Sequence, residues 1–274
     1  METRFHRTSG KRTARMKYFK DIWEARYFWW HLSISDLRSR WRRSFVGAFW
    51  SVLQPLGLTI LISIVFSRIF GNPLTWYAPY ILSGMLIWDF VVSSVVGGAL
   101  AFVQADAYIK QTRHPLAIYT LRNVLTGLIV LAMASVSLLA WVVIKFPENI
   151  SWSWLGALAI FPILLAVAWP WATIMAYIST RFRDVPHALG LILQAMWFVS
   201  PIYFEADVFR NGGLHVLLDY NPIYHLLEIV RAPLLRGDWP SPINYAWCVG
   251  TAILLAAIAF AIGRVTEKKV IFYL

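Results

Sequence analysis

Ionisable side chains in this 274-residue chain gather in short clusters, and long apolar runs separate the clusters. The first run, Ser44 to Ser67, contains no ionisable side chain and follows Arg40, Arg42 and Arg43. A helix needs about 20 apolar residues to cross roughly 30 Å of hydrocarbon, at about 1.5 Å per residue. This run is long enough, and with its flanks it predicts a span to about Phe70. Five more spans follow, at about Pro79 to Val103, Leu116 to Ile144, Trp154 to Thr180, Val185 to Phe204 and Ile243 to Ile262. Gly71-Asn72-Pro73 and Lys145 to Asn149 read as outer turns. Gln104 to Pro115 and Arg181 to Asp184 read as cytoplasmic returns. The pattern predicts an all-α integral membrane protein with six transmembrane helices and both termini cytoplasmic.

The polar pieces at either end of this array differ in kind. Residues 1–17 are basic and poor in apolar side chains, which predicts a disordered arm. In residues 18–43, Trp23, Tyr27, Trp30, Ile34, Leu37 and Trp41 recur at spacings of three and four, the stripe of an amphipathic helix. Its rings suit a helix lying in the cytoplasmic headgroup plane. A coiled coil is the competing reading, although Trp is an unusual seam residue. Residues 44–274 then make up the six-span domain. Within it, residues 205–242 form the longest external segment. Ile223 to Leu235 is apolar but too short to cross and carries Glu228 and Arg231. With the turn Asn221-Pro222 before it, it reads as a re-entrant or surface gate helix.

Composition sharpens this picture. Hydrophobic residues make up 59% and charged residues 14%, where soluble domains carry nearer a quarter charged. The 15 Trp and 12 Tyr suit membrane interfaces. The net charge of +11 raises nucleic acid as a partner, but its placement argues against one. Twelve of the 25 Lys and Arg precede Ser44, and eight more fall in the other segments assigned to the cytoplasm. That is the positive-inside bias. One cysteine, Cys248, excludes an internal disulfide and a cysteine metal cluster.

Chemistry is sparse. No HExxH, GxSxG or phosphate loop occurs, and the six histidines make no close helical pair. No catalytic residue, metal site or cofactor is expected on this chain. Gly97-Gly98 reads as a helix-packing pair. One feature resists a structural reading: Asp89 lies near the middle of the second span, where a carboxylate needs water, a partner or a proton.

Four stretches carry a family resemblance: RWRRSFVGAFWSVLQP (Arg40 to Pro55), YILSGMLIWDF (Tyr80 to Phe90), RFRDVPHALGLILQAMWFVSPIYF (Arg181 to Phe204) and YNPIYHLLEIVRAPLLRG (Tyr220 to Gly237). In this order and spacing the chain resembles the membrane subunit of bacterial polysaccharide-export ABC transporters, which export O-antigen, capsule or teichoic acid. The resemblance covers nearly everything beyond Lys17. Asp89 departs from it, because relatives often carry an aromatic or other apolar residue there.

The resemblance implies a homodimer forming a twelve-helix channel in the inner membrane. Two separate nucleotide-binding subunits, which hold the ATP and magnesium, would dock beneath it. It further implies a coupling helix at Asp106 to Arg113, with Asp106, Tyr108, Lys110 and Arg113 facing the ATPase and Arg183 and Asp184 close by. The first and fifth spans would line a path for a lipid-linked polysaccharide. Trp50, Phe66, Trp197, Phe198, Tyr203 and Phe204 are the rings expected to stack on sugars. The gate would comprise Asn221, Pro222, Glu228 and Arg231. The rival functions are an exporter of a small lipid or drug, a membrane-embedded glycan-modifying enzyme built on Asp89, and an assembly scaffold.

Overall fold

A computed structural model describes residues 18, 20–42, 44–71, 73–112 and 114–274. The expected basic arm (1–17), Arg113 of the coupling set, Asn72 of the first outer turn and Arg43 lie outside the described residues. Among the described residues the chain is helical throughout, with no strand.

Helix α1 is Arg26–Trp41, and a 3-10 turn at Gly47–Phe49 leads into α2, Trp50–Phe70. Then come α3 (Leu74–Gln104), α4 (Asp106–Gln111) and α5 (Ala117–Lys145). A 3-10 turn at Pro147–Asn149 precedes α6 (Trp154–Leu158), α7 (Ile160–Arg181) and α8 (Val185–Val199). Short helices α9 (Ala206–Asn211) and α10 (His215–Asp219) lead to α11 (Pro222–Arg231). A π-helical turn, Ala232–Arg236, precedes the final helix α12, Pro242–Tyr273.

Five of these segments are long and apolar enough to cross a membrane: Gly47–Ile69, Leu74–Gln104, Ala117–Lys145, Trp154–Arg181 and Pro242–Glu267. Helix α8 has 15 residues, about 22 Å, and is shorter than a full crossing. The expected fifth span runs on to Phe204, but the helix stops at Val199. Pro201 is the reason: the residue before a proline is driven out of the helical region, and Ser200 is extended with ψ 142°.

Two other prolines resolve differently. Pro79 sits inside α3, whose start precedes the expected one by five residues. The Thr75 carbonyl, which Pro79 leaves without a helical donor, accepts the Trp141 indole N–H at 3.2 Å. Pro162 falls in the first turn of α7, where no amide donor is required. The helix is interrupted at Ala159, just before it.

Helix α3 is the central mast. It packs against α2, α5, α7, α8 and α11, and its side chains supply much of the buried core. A Cβ on Gly98 would lie 2.5 Å from Ala172 Cβ and 2.7 Å from Ala172 Cα. Glycine therefore sets how closely α3 and α7 cross, as expected of a packing pair.

The two ends of the helix array are distinct. At one end Phe102, Ile109, Leu116, Tyr119, Tyr177 and Val270 form a single cluster. This gathers the end of α3, α4, the start of α5, the end of α7 and the end of α12. At the other end Asn149 Nδ2 donates to the Leu234 and Leu235 carbonyls, and Tyr245 Oη donates to Gly156. Tyr77, near the start of α3, donates to the Tyr203 carbonyl at 2.6 Å. Helix α8 therefore leaves the first end at Asp184, and the extended segment after it arrives at the second.

Candidate functional site

The chemistry-bearing residues fall into four places. The first is an aromatic cluster where the end of α2, the middle of α3 and the segment after α8 meet. Phe66 stacks on Tyr203, with ring centroids 5.9 Å apart and planes 5° apart. Trp197 meets Tyr203 edge-on at 4.9 Å and Trp88 at 5.3 Å. Phe66, Trp197 and Tyr203 thus come together, half-buried against one another. Phe204 turns away into a small cluster with Phe209, Leu218 and Tyr224. Phe198 stands exposed in a cleft between α3 and α8. Trp50 is separate from all of these.

Trp50 lies instead on the second feature, a groove of about 820 Å³ bounded by α1, α2, α3 and α5. Its walls carry Asp36, Arg40, Ser51, Gln54, Asp89, Ser93, Asn123 and Thr126. Asp89 is fifteen residues from either end of α3, at the deepest point of the span. It is exposed on the groove and makes no hydrogen bond or ion pair among the described residues.

The third feature is α11, buried along nearly its whole length. Asn221 caps it, its Oδ1 accepting from the Ile223 amide at 2.9 Å. The Asn221 amide also donates to Ser200 Oγ at 3.0 Å, tying the helix start to the end of α8. Pro222 occupies the first turn, where its missing N–H is harmless. Glu228 pairs with Arg236 at 2.5 Å.

Arg231 is 1% exposed and has no carboxylate partner among the described residues. Its Nε donates to Ser83 Oγ at 3.2 Å and Nη1 to the Pro201 carbonyl at 2.6 Å. Nη2 donates to the carbonyls of Tyr80 and Ile202 at 3.1 and 3.3 Å. The guanidinium also lies 3.6 Å from the centre of the Tyr80 ring. The proline break after α8 frees backbone carbonyls, and Arg231 takes up those of Pro201 and Ile202 beside the Tyr77 and Tyr80 phenols.

His225 was not among the residues picked from sequence. It is buried, with Nδ1 2.9 Å from Asn244 Oδ1, Nε2 2.9 Å from the Asp219 carbonyl, and its ring stacked on Trp247 at 5.3 Å. It joins α11 to α12. A helix position one turn before Glu228 was the available signal, and alone it is uninformative.

The fourth feature is the end that gathers α4. Ile109 is buried there, and Tyr108 meets Phe28 edge-on at 6.4 Å. Lys110 pairs with Asp106 at 2.8 Å across one helical turn. Arg183 and Asp184 are exposed in the turn after α7. Phe102 and Tyr177, in contact at 5.2 Å, bring that turn to the same end as α4.

The aromatic stripe of α1 and its neighbour segment remains largely exposed: Trp23 66%, Tyr27 74% and Trp30 50%, with Trp41 half-buried. The side chains that pack inward are Ile22, Trp29, Ser33 and, from the stripe itself, Leu37. Ser33 Oγ donates to the Arg122 carbonyl at 3.2 Å, and Asp36 forms a two-point ion pair with Arg122. Beside it, burial first and the Glu267 carboxylate second raise the Tyr18 phenol above its ordinary value. Tyr18 Oη donates to Glu267 Oε1 at 3.2 Å, and Glu267 also accepts from the Leu116 amide at 3.3 Å.

The chain is similar to known proteins across almost all of this architecture. It is 23% identical over 232 residues to the O-antigen export system permease protein RfbA of Klebsiella pneumoniae, covering 83% of this chain and 87% of that one. It is 24% identical over 245 residues to RfbA of Myxococcus xanthus, covering 85% and 90%. It is 20% identical over 245 residues to the polysialic acid transport protein KpsM of Escherichia coli, covering 88% and 93%. The family model for the ABC-2 type transporter matches residues 27–235. The chain is a multi-pass membrane protein and belongs to the ABC-2 type transporter membrane family.

Proposed function

We propose that this chain is the channel-forming membrane subunit of an ATP-driven exporter that moves a lipid-linked polysaccharide, an O-antigen or a capsular glycan, across the bacterial inner membrane. The observation that carries this reading is the near full-length match to permeases named for O-antigen export and polysialic acid transport. In this reading α8 and the extended segment after it make the sixth crossing, and both termini are cytoplasmic. The α1 region lies in the cytoplasmic headgroup plane, with Trp23, Tyr27 and Trp30 toward lipid. Two copies form the pore.

The chain itself supplies no bond-breaking chemistry in this scheme. ATP and magnesium belong to a separate nucleotide-binding subunit, present twice. Helix α4, with Asp106, Tyr108 and Lys110, takes up the motion of that subunit, and Arg183 and Asp184 stand beside it. Ile109 passes the motion inward, because its side chain is packed against the ends of α3, α5, α7 and α12. The external α11 module, held by Asn221 and Arg231, closes the outer side.

The test is genetic and biochemical together. Deleting the gene should remove the surface polysaccharide, and the tagged chain should co-purify an ATPase. Ile109→Asp should uncouple the two, leaving ATPase activity and abolishing export. A tagged chain that purifies without ATPase, in cells whose surface glycan survives the deletion, would refute the reading.

A further inference from the structure

The groove between α1, α2, α3 and α5 contains more polar groups than packing requires. In a bilayer each unsatisfied polar group is costly, by several kcal/mol on the usual scale. Yet the Asp89 carboxylate and the Gln54 amide, both exposed on this groove, have no hydrogen-bond partner among the described residues. Ser51 lies one turn before Gln54 on α2, and Ser93 one turn after Asp89 on α3. Asn123, on the groove wall, directs its amide nitrogen to the Ser94 carbonyl at 3.2 Å and lays its oxygen over Gly97, which also lines the groove. Trp50 adds a ring that is 54% exposed.

The groove has a direction. Gln104 lines it at the end that gathers α4, and Asp89 lies fifteen helical residues further in, about 22 Å. A strip of acceptors and amides beside an exposed indole recognises a ligand rich in hydroxyl groups. Hydroxyls donate to Asp89, exchange donors and acceptors with Gln54 and Ser51, and present C–H faces to Trp50. A phosphate beside Asp89 would face its charge, so an anionic group fits only beside Arg40, the cation on the wall. An acyl chain would leave every one of these polar groups unmet.

We propose that this groove is a saccharide-binding site on the cytoplasmic half of the molecule, in which Asp89 accepts sugar hydroxyls at the deepest point. The inference rests on the polysaccharide-export reading above and adds a location distinct from the aromatic cluster around Tyr203. It also accounts for a carboxylate that helix packing leaves unexplained.

The test is photo-cross-linking in cells that make their own surface glycan, with benzoylphenylalanine at Val96 on the groove wall or at Ile253, a 65% exposed position on α12. Irradiation should give a periodate-positive, glycan-bearing adduct at Val96 and none at Ile253. Losing one charge-assisted hydrogen bond should lower the Val96 adduct about tenfold in Asp89→Leu, and less in Asp89→Asn. Gln54→Leu should also lower it, which keeps the test alive if Asp89→Leu does not accumulate. An adduct carrying phospholipid without sugar would make the groove a lipid site and overturn the proposal. So would equal glycan adducts at Val96 and Ile253, or an adduct unaffected by all three variants. No glycan adduct at Val96 in cells whose glycan still depends on this gene defeats the groove alone. Survival of the surface glycan on deletion defeats the export reading instead.

Discussion

Arg231→Met isolates what holds the segment after α8 against α3. The variant keeps most of the side-chain volume and removes the donors that reach Ser83 and the carbonyls of Tyr80, Pro201 and Ile202. Tyr80 O keeps the Ser83 hydroxyl, and Pro201 O keeps the Tyr80 phenol at 3.3 Å. The Ile202 carbonyl loses the donor that the arginine provided. Hydrogen bonds from a charged group contribute about 1.5–3 kcal/mol each, and an orphaned buried carbonyl costs about 1–3 kcal/mol. Removing a buried cation that has no ion-pair partner among the described residues returns part of this, because its desolvation is relieved. The net expectation is a loss of about 2–4 kcal/mol in docking the segment after α8, or about 30- to 900-fold in its opening equilibrium. Hydrogen exchange of the protein in lipid nanodiscs reads this directly, since protection reports local opening. Peptides covering residues 200–205 and α11 should exchange faster by that factor, while α4 at the opposite end is unchanged. Arg231→Lys should fall between, because an ammonium lacks the planar fork. Exchange of residues 200–205 within threefold of the parent would refute the reasoning.

Three further outcomes follow from packing and pairing. Gly98→Val should fail to accumulate as folded protein, because even a Cβ would overlap Ala172; fluorescence-detected size exclusion of a tagged chain measures this. Asp36→Asn should loosen α1 from α5 by about 1 kcal/mol, with a double-mutant cycle against Arg122→Gln giving a coupling of the same order. Additivity of the two would dissociate the pair. Asn221→Ala removes both the cap of α11 and its tie to Ser200, costing about 1–2 kcal/mol, seen as a lower thermal midpoint in detergent.

The helix array was legible because membrane burial writes long apolar runs between charged turns. The ends of the runs were less so. Pro201 gives the break after α8 a local cause that sequence can reveal, but Pro79 looked like a start and lies within α3. Its cost is met by Trp141, 62 residues away, which no local pattern reports. The spacing of residues 23–41 predicts one stripe, yet the inward-packed side chains are Ile22, Trp29 and Ser33, with Leu37 alone shared with that stripe. Two apolar faces on one helix look alike until a neighbour is assigned. Of the expected rings, Phe66, Trp197 and Tyr203 assemble and Trp50 and Phe204 do not. Asp89 stood out by charge alone, whereas His225 did not, since its partners Asn244 and Asp219 are distant in sequence or backbone atoms.

The mast-like burial of α3 has a consequence for how this chain tolerates sequence drift. In the apolar window of α3, 61% of residues are enclosed by the protein, against 11% in α12 and 17% in the helix that includes α2. A position on α12 must satisfy lipid, which accepts any apolar side chain of roughly suitable length. A position on α3 must fit several helices at once, and at Gly98 even a Cβ would overlap Ala172. Substitutions accumulated over long divergence should therefore concentrate on α12 rather than on α3.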